Sequence, residues 1–304
     1  MLTKVISFQQ YKSLGIVQFA IPDQDSFEYI SGPRAIKENL VDVKEVDASG
    51  SVNNLTVYNL SGKFIFFMDG DILSGAKQNR VLNTSVLLAP NTKTNIPVSC
   101  VEQGRWSRVS DKFGSTEFIS PTKLRAEKSH KVTFNLNEDL GHVSDQGQVW
   151  GNVASYSASF QVRSATSSLN DVYNEKKDQF EDFVTNFKID NEANGISIFV
   201  NKTLLNLEIF NRKDIFAEYF PKLLRGTAME AFRIKAKKEK ITEAEAKYKM
   251  ITFLDKIEEI PMDAHPGVGV GNEKRFETKE LTGFELEYNK SLIHLTALNL
   301  GKDN

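Results

Sequence analysis

Two short stretches gather arginine, carboxylate, amide and indole side chains within a few residues of one another. The first is Gly70-Asp71-Ile72-Leu73-Ser74-Gly75-Ala76-Lys77-Gln78-Asn79-Arg80, and the second is Cys100-Val101-Glu102-Gln103-Gly104-Arg105-Trp106. Arg80 and Arg105 have the planar, always-charged donor set that clamps a pyrophosphate or carboxylate. Trp106 offers a flat face on which a base or sugar can stack. Glu102 is the candidate catalytic group: it could accept ribose hydroxyls or stabilise an oxocarbenium-like transition state. Gln78, Arg80, Arg105 and Trp106 are the candidate ligand contacts, and the nearby glycines would let a ligand approach the backbone. The same residues also fit a structural Arg–Glu pair capped by a packed Trp, and the two readings stay open at this level.

A second polar-aromatic patch, Gln146-Gly147-Gln148-Val149-Trp150, follows His142 and Asp145. It reads as a surface loop that could bring Gln148 and Trp150 to the same site. No two of His130, His142, His265 and His294 have metal-ligand spacing and Cys100 stands alone, so no metal site is expected. His294 reads as a structural histidine on an apolar strand, and Glu208 as a weaker candidate acid. Gly267-Val268-Gly269-Val270-Gly271 lacks the last glycine of a dinucleotide fingerprint, because residue 272 is Asn. The basic run Arg233, Lys235, Lys237, Lys238 and Lys240 reads as a solvated helix end.

These residues need a scaffold, and hydrophobic periodicity supplies one. Residues 1–160 read mainly as strands between polar turns. Phe64–Met68 and Ile72–Leu73 flank Asp69-Gly70, which favours a type I′ hairpin turn. Gly195 to Asn211 aligns without gaps to Gly283 to Asn299: each is glycine, strand, Asn-Lys, strand. With the Phe64 segment this makes three copies of one plan, expected as hairpins turning at Asp69-Gly70, Asn201-Lys202 and Asn289-Lys290: either an internal repeat or hairpins converging on similar turn chemistry. An apolar stripe predicts a helix over 168–188. A second helix is expected over 214–236, broken or restarted at Pro221, and a third from the capping box at Thr242 and Glu245 to about 257.

Length and composition bound the class. The 304 residues suffice for one large core or two smaller ones, and 40% hydrophobic with 26% charged is the balance of an ordinary folded chain. A net charge of −2 gives no field favouring nucleic acid or an anionic membrane. One cysteine excludes an intramolecular disulfide. No apolar run reaches the roughly 18–20 residues that span a bilayer, and the N-terminal stretch lacks a signal-peptide core. A cytoplasmic location follows as the expectation.

Taken together, Gly-Asp-x-Leu-x-Gly-x-x-Gln-x-Arg (Gly70 to Arg80), Val98-x-Cys-x-Glu-x-Gly-Arg-Trp106, Gln148-Val149-Trp150, Gly269-Val-Gly with Glu273 and Arg275, and Leu292-Ile-His294-Leu resemble one family. It is the ARG (ADP-ribosylglycohydrolase) and rhodanese-phosphatase-superfamily-associated protein domain family, a bacterial group. The order of these motifs, from about residue 25 to 299, is more specific than any one of them. Asp71 stands where many relatives carry Glu. The resemblance implies a link to NAD or ADP-ribose metabolism by association. The resulting expectation is an α+β, β-rich single domain of repeated-hairpin sheets, with residues 1–160 β-rich and a helical segment within 161–304 packed on them. It would bind or process an ADP-ribose-like nucleotide; the alternative is a non-catalytic binding or scaffold module using its hairpin surfaces. No cofactor, nucleic acid or membrane partner is expected.

Overall fold

The computed structural model describes residues 3–22, 28–47, 53–234 and 240–301. An eight-stranded antiparallel sheet runs in the order β1 (Lys4–Tyr11), β2 (Leu14–Ala20), β12 (Gly195–Val200), β13 (Thr203–Phe210), β17 (Ser291–Asn299), β16 (Leu281–Tyr288), β15 (Asn272–Glu277), β14 (Asp263–Pro266). A six-stranded sheet follows β11 (Phe113–Ile119), β7 (Asp71–Gly75), β8 (Arg80–Leu82), β10 (Lys93–Cys100), β5 (Asn54–Asn59), β4 (Val41–Glu45). Three short strands, β3 (Tyr29–Ser31), β6 (Phe64–Phe67) and β9 (Val86–Leu88), form a third sheet. The helices are α1 (Gly32–Lys37), α2 (Thr122–Asn137), α3 (Gln146–Phe160), α4 (Leu169–Glu175), α5 (Lys177–Thr185), α6 (Lys213–Arg233) and α7 (Glu243–Glu259). The architecture is α+β and β-rich. Among the described residues, no helix is long and apolar enough to cross a membrane.

The large sheet is buried on both faces. Ile196, Ile198 and Phe210 face one apolar cluster with α6, while Phe199, Leu207 and Ile209 face a second with α7. The two hairpins are equivalent in detail. Each slips register at the same aligned place, between Ile198 and Phe199 in one and between Leu286 and Glu287 in the other. Asn211 donates to Leu292 O and the aligned Asn299 donates to Leu204 O, both at 2.8 Å. A Cβ on Gly195 would meet the Phe19 ring at 2.4 Å, and one on Gly283 would meet the Phe276 ring at 2.4 Å. A pseudo-two-fold axis therefore crosses the sheet between β13 and β17, where Glu208 pairs with its aligned equivalent Thr296.

The third expected hairpin is not one. β6 pairs with β3 and β9, whereas β7 pairs with β8 and β11, so the Asp69-Gly70 turn carries the chain from one sheet to another. Gly70 has φ +80° and Asp69 is not among the positive-φ residues, whereas a type I′ turn requires positive φ at both central positions. Between β8 and β9 the chain leaves strand at Asn83-Thr84-Ser85 and crosses back between the same sheets.

Helices depart from expectation in four places. Residues 122–160 carry α2 and α3, so the mainly-strand reading ends at Ile119. Gln146–Trp150 is the first turn of α3, capped by Asp145, rather than a loop. The 168–188 helix is two helices, meeting at Lys176. Pro221 lies inside an uninterrupted α6: buried Phe216, Tyr219, Phe220, Leu223 and Leu224 on either side hold the helix together despite the lost bond. Thr242 caps α7, accepting from Glu245 N at 3.3 Å. Of the basic run, Lys235, Lys237 and Lys238 lie outside the described residues.

Candidate functional site

Adjacent strands set the first group of side chains. β8 pairs with β10 so that Arg80 lies directly opposite Cys100, and paired residues project to the same face. The Arg80 guanidinium donates to Gln78 Oε1 at 3.0 Å and to Cys100 Sγ, and its other end lies 3.7 Å from Glu45 Oε2. Beyond β10 the chain is pinned by Gly104 N–H to Thr166 O at 2.7 Å. Glu102 then points inward and accepts from Arg105 Nε at 2.9 Å, Arg105 Nη2 at 2.6 Å, Thr166 Oγ1 at 2.8 Å and Asn79 N at 3.0 Å. Burial is the largest influence on this carboxyl and raises its pKa, but Arg105, Thr166 and the Asn79 amide together outweigh it, so Glu102 stays ionised. Arg105 also donates to Ala76 O at 2.7 Å, Ser107 O at 3.1 Å and Gly75 O at 3.3 Å.

Trp106 covers this frame. Its ring centre is 5.7 Å from the Arg80 guanidinium carbon and 5.3 Å from Lys77 Nζ, within cation–π range. Trp106 is 49% exposed, whereas Arg80 beneath it is 0% exposed. Burial, the main influence, lowers the pKa of Arg80 and Glu45 works against that. The structure thus joins Gln78, Arg80, Glu102, Arg105 and Trp106. Gln148, two residues into α3, is exposed and bonds instead to Glu127 on α2 at 3.1 Å, and Trp150 is partly buried further along α3. The contact from α3 to this group is Gln146, whose amide accepts from Cys100 N at 2.7 Å and donates to Cys100 O at 2.8 Å, as a strand would.

A second polar group is fully buried where the sheets meet. Arg125 of α2 donates twice to Asp69, at 3.0 and 2.9 Å, and to Glu208 Oε1 at 2.8 Å and Thr296 Oγ1 at 3.1 Å. It therefore sits on the pseudo-axis, bridging both repeats. His294 Nε2 lies 3.1 Å from Glu208 Oε2 and its Nδ1 lies 3.1 Å from Ser85 Oγ, which accepts from Asp69 N–H at 2.9 Å. Serine, histidine and glutamate are in line here, but each is 0% exposed. Burial is the largest influence on Glu208 and raises its pKa, yet Arg125 and His294 overcome it and hold it at about 2. Glu273 is likewise held at about 2 against burial, by Arg275, His142 and Thr84. Lys128, one turn after Arg125, donates to Leu82 O, and its burial brings it down to about 7.

A model of the family described as ARG and Rhodanese-Phosphatase-superfamily-associated Protein domain matches residues 3–298. The chain belongs to this family. The motifs that carry the resemblance in the sequence fall on both groups: Gln78, Arg80, Glu102, Arg105 and Trp106 on the first, Glu273, Arg275 and His294 in the interior. No curated protein and no solved structure matches it. Sequence reasoning missed Asp69, Ser85, Arg125 and Lys128 as a unit. The available signal was Arg125, Lys128 and Ser129 at i, i+3 and i+4, a polar stripe along one helix face.

Proposed function

We propose that this chain is a single-domain, cytoplasmic binding module for an ADP-ribose-like nucleotide. The ligand stacks on Trp106, and Lys77 and Arg80 supply positive charge beside it. The observation that carries the reading is a half-exposed indole set over two cations. The open face of such a ring takes a nucleobase, worth about 1–3 kcal/mol, and the cations suit phosphate. The family's association with ADP-ribosylglycohydrolases supports an ADP-ribose-like ligand. Glu102 acts as the anchor of Arg105, because four donors already occupy its oxygens.

Calorimetric titration with ADP-ribose tests this. Lys77→Ala should weaken binding roughly tenfold, the equivalent of one charge-assisted contact. Glu102→Gln should also weaken it, because Arg105 loses its anchor and the Trp106 loop its position. Retained binding with lost turnover in Glu102→Gln would instead make the protein a nucleotide-processing enzyme with Glu102 as its catalytic carboxylate. Absence of heat from the wild type at millimolar ADP-ribose would end the reading.

A further inference from the structure

The loop from Gly104 to Lys112 has no regular structure and lies almost wholly at the surface, yet its two ends are firmly held. At the first end, Gly104 N–H bonds Thr166 O and Arg105 is clipped to Glu102, Gly75 O and Ala76 O. At the other end, Val109 N–H donates to Ala76 O at 3.0 Å and Ser110 Oγ accepts from Ala76 N at 2.9 Å. Trp106 lies between these anchors. The Arg80 guanidinium lies against the indole and donates to the Cys100 thiol, and Arg80 and Cys100 are both 0% exposed. A half-exposed aromatic ring therefore lies against a fully buried cation.

We propose that this loop is a lid, with the Arg105 clip its fixed end and Trp106 the flap that opens to expose Arg80 to an anionic ligand. A buried guanidinium facing Glu45 at 3.7 Å gains more from a phosphate than it loses by releasing the indole, since direct charge-assisted bonds are shorter and stronger than such a contact. The lid deepens the binding reading above by giving the ligand its route to Arg80.

Cys100, the sole cysteine of the chain, reports on the lid without any ligand. The test is the rate at which iodoacetamide alkylates Cys100 in the folded protein, measured across low urea concentrations. A lid predicts labelling with a shallow urea dependence, far below that of global unfolding, because only a loop opens. Trp106→Ala should speed labelling roughly tenfold, the effect of removing one desolvated cation–π contact, and Trp106→Phe should restore most of the protection. Labelling that follows the global unfolding slope, or a Trp106→Ala rate equal to wild type, would overturn the lid. Since no nucleotide is present, a failed lid is distinguishable from a failed ADP-ribose reading.

Discussion

A guanidinium shut away from water persists only while its carboxylate partners stay ionised, and Arg125 has two such partners, Asp69 and Glu208. Arg125→Met should cost on the order of 3–5 kcal/mol, because buried Asp69 would lose both bonds from Arg125 and Glu208 would be left to His294 and Asn206; urea unfolding measures it. Lys128 tests the opposite case, a cation whose burial is poorly compensated. Its pKa lies at about 7 in the folded protein against an ordinary 10.5. Between these values the unfolded chain holds the extra proton, so stability rises with pH from about 7 to 10.5. Lys128→Met should lose that rise and be at least as stable as wild type below pH 7. Among the proposed ligand contacts, Lys77 gives a cleaner test than Arg80, since removing the fully buried Arg80 side chain also leaves a cavity.

At the scale of elements, the repeated hairpin is the feature that ties sequence to fold. Gly195→Ala should destabilise by about 1–3 kcal/mol through overlap with the Phe19 ring, and Gly283→Ala by at least as much, because its new methyl group meets the Phe276 ring and also Thr296 O at 2.3 Å. A large cost at one glycine and none at the other, by thermal unfolding, would contradict their equivalence. These two hairpins were legible because glycine, strand periodicity and the Asn-Lys turn all agree. The Phe64–Leu73 segment has the same local pattern, but which sheet a strand joins depends on distant partners that alternation does not encode. Helix α2 escaped notice because its inward face carries Arg125, Lys128, Ser129, Thr133 and Asn135, so no apolar stripe forms. Gln78 with Arg80, and Glu102 with Arg105 and Trp106, could be read as groups from spacing, and the pairing of β8 with β10 joins the two. The Asp69, Ser85 and His294 contacts could not, since two sheet-to-sheet crossings bring them together.

The whole molecule is held by three sheets whose junction is polar and charge-matched. Glu208 and Glu273, both held at about 2 against an ordinary 4.5, stabilise the fold fully above pH 4.5. That contribution is lost as pH falls from 4.5 towards 2, so acid unfolding followed by circular dichroism should fall in this window. Glu273→Gln should be less stable than wild type at neutral pH and should show a weaker acid dependence. The Trp106 face carries a half-exposed indole beside two cations, and there the proposed ligand meets the protein. The central claim is therefore that a nucleotide stacks on that indole. Trp150→Phe leaves Trp106 as the sole tryptophan, and its fluorescence can be titrated with ADP-ribose at moderate salt. Saturable quenching that Lys77→Ala shifts roughly tenfold to higher ligand concentration is the predicted result. Emission unchanged up to millimolar ADP-ribose would contradict it.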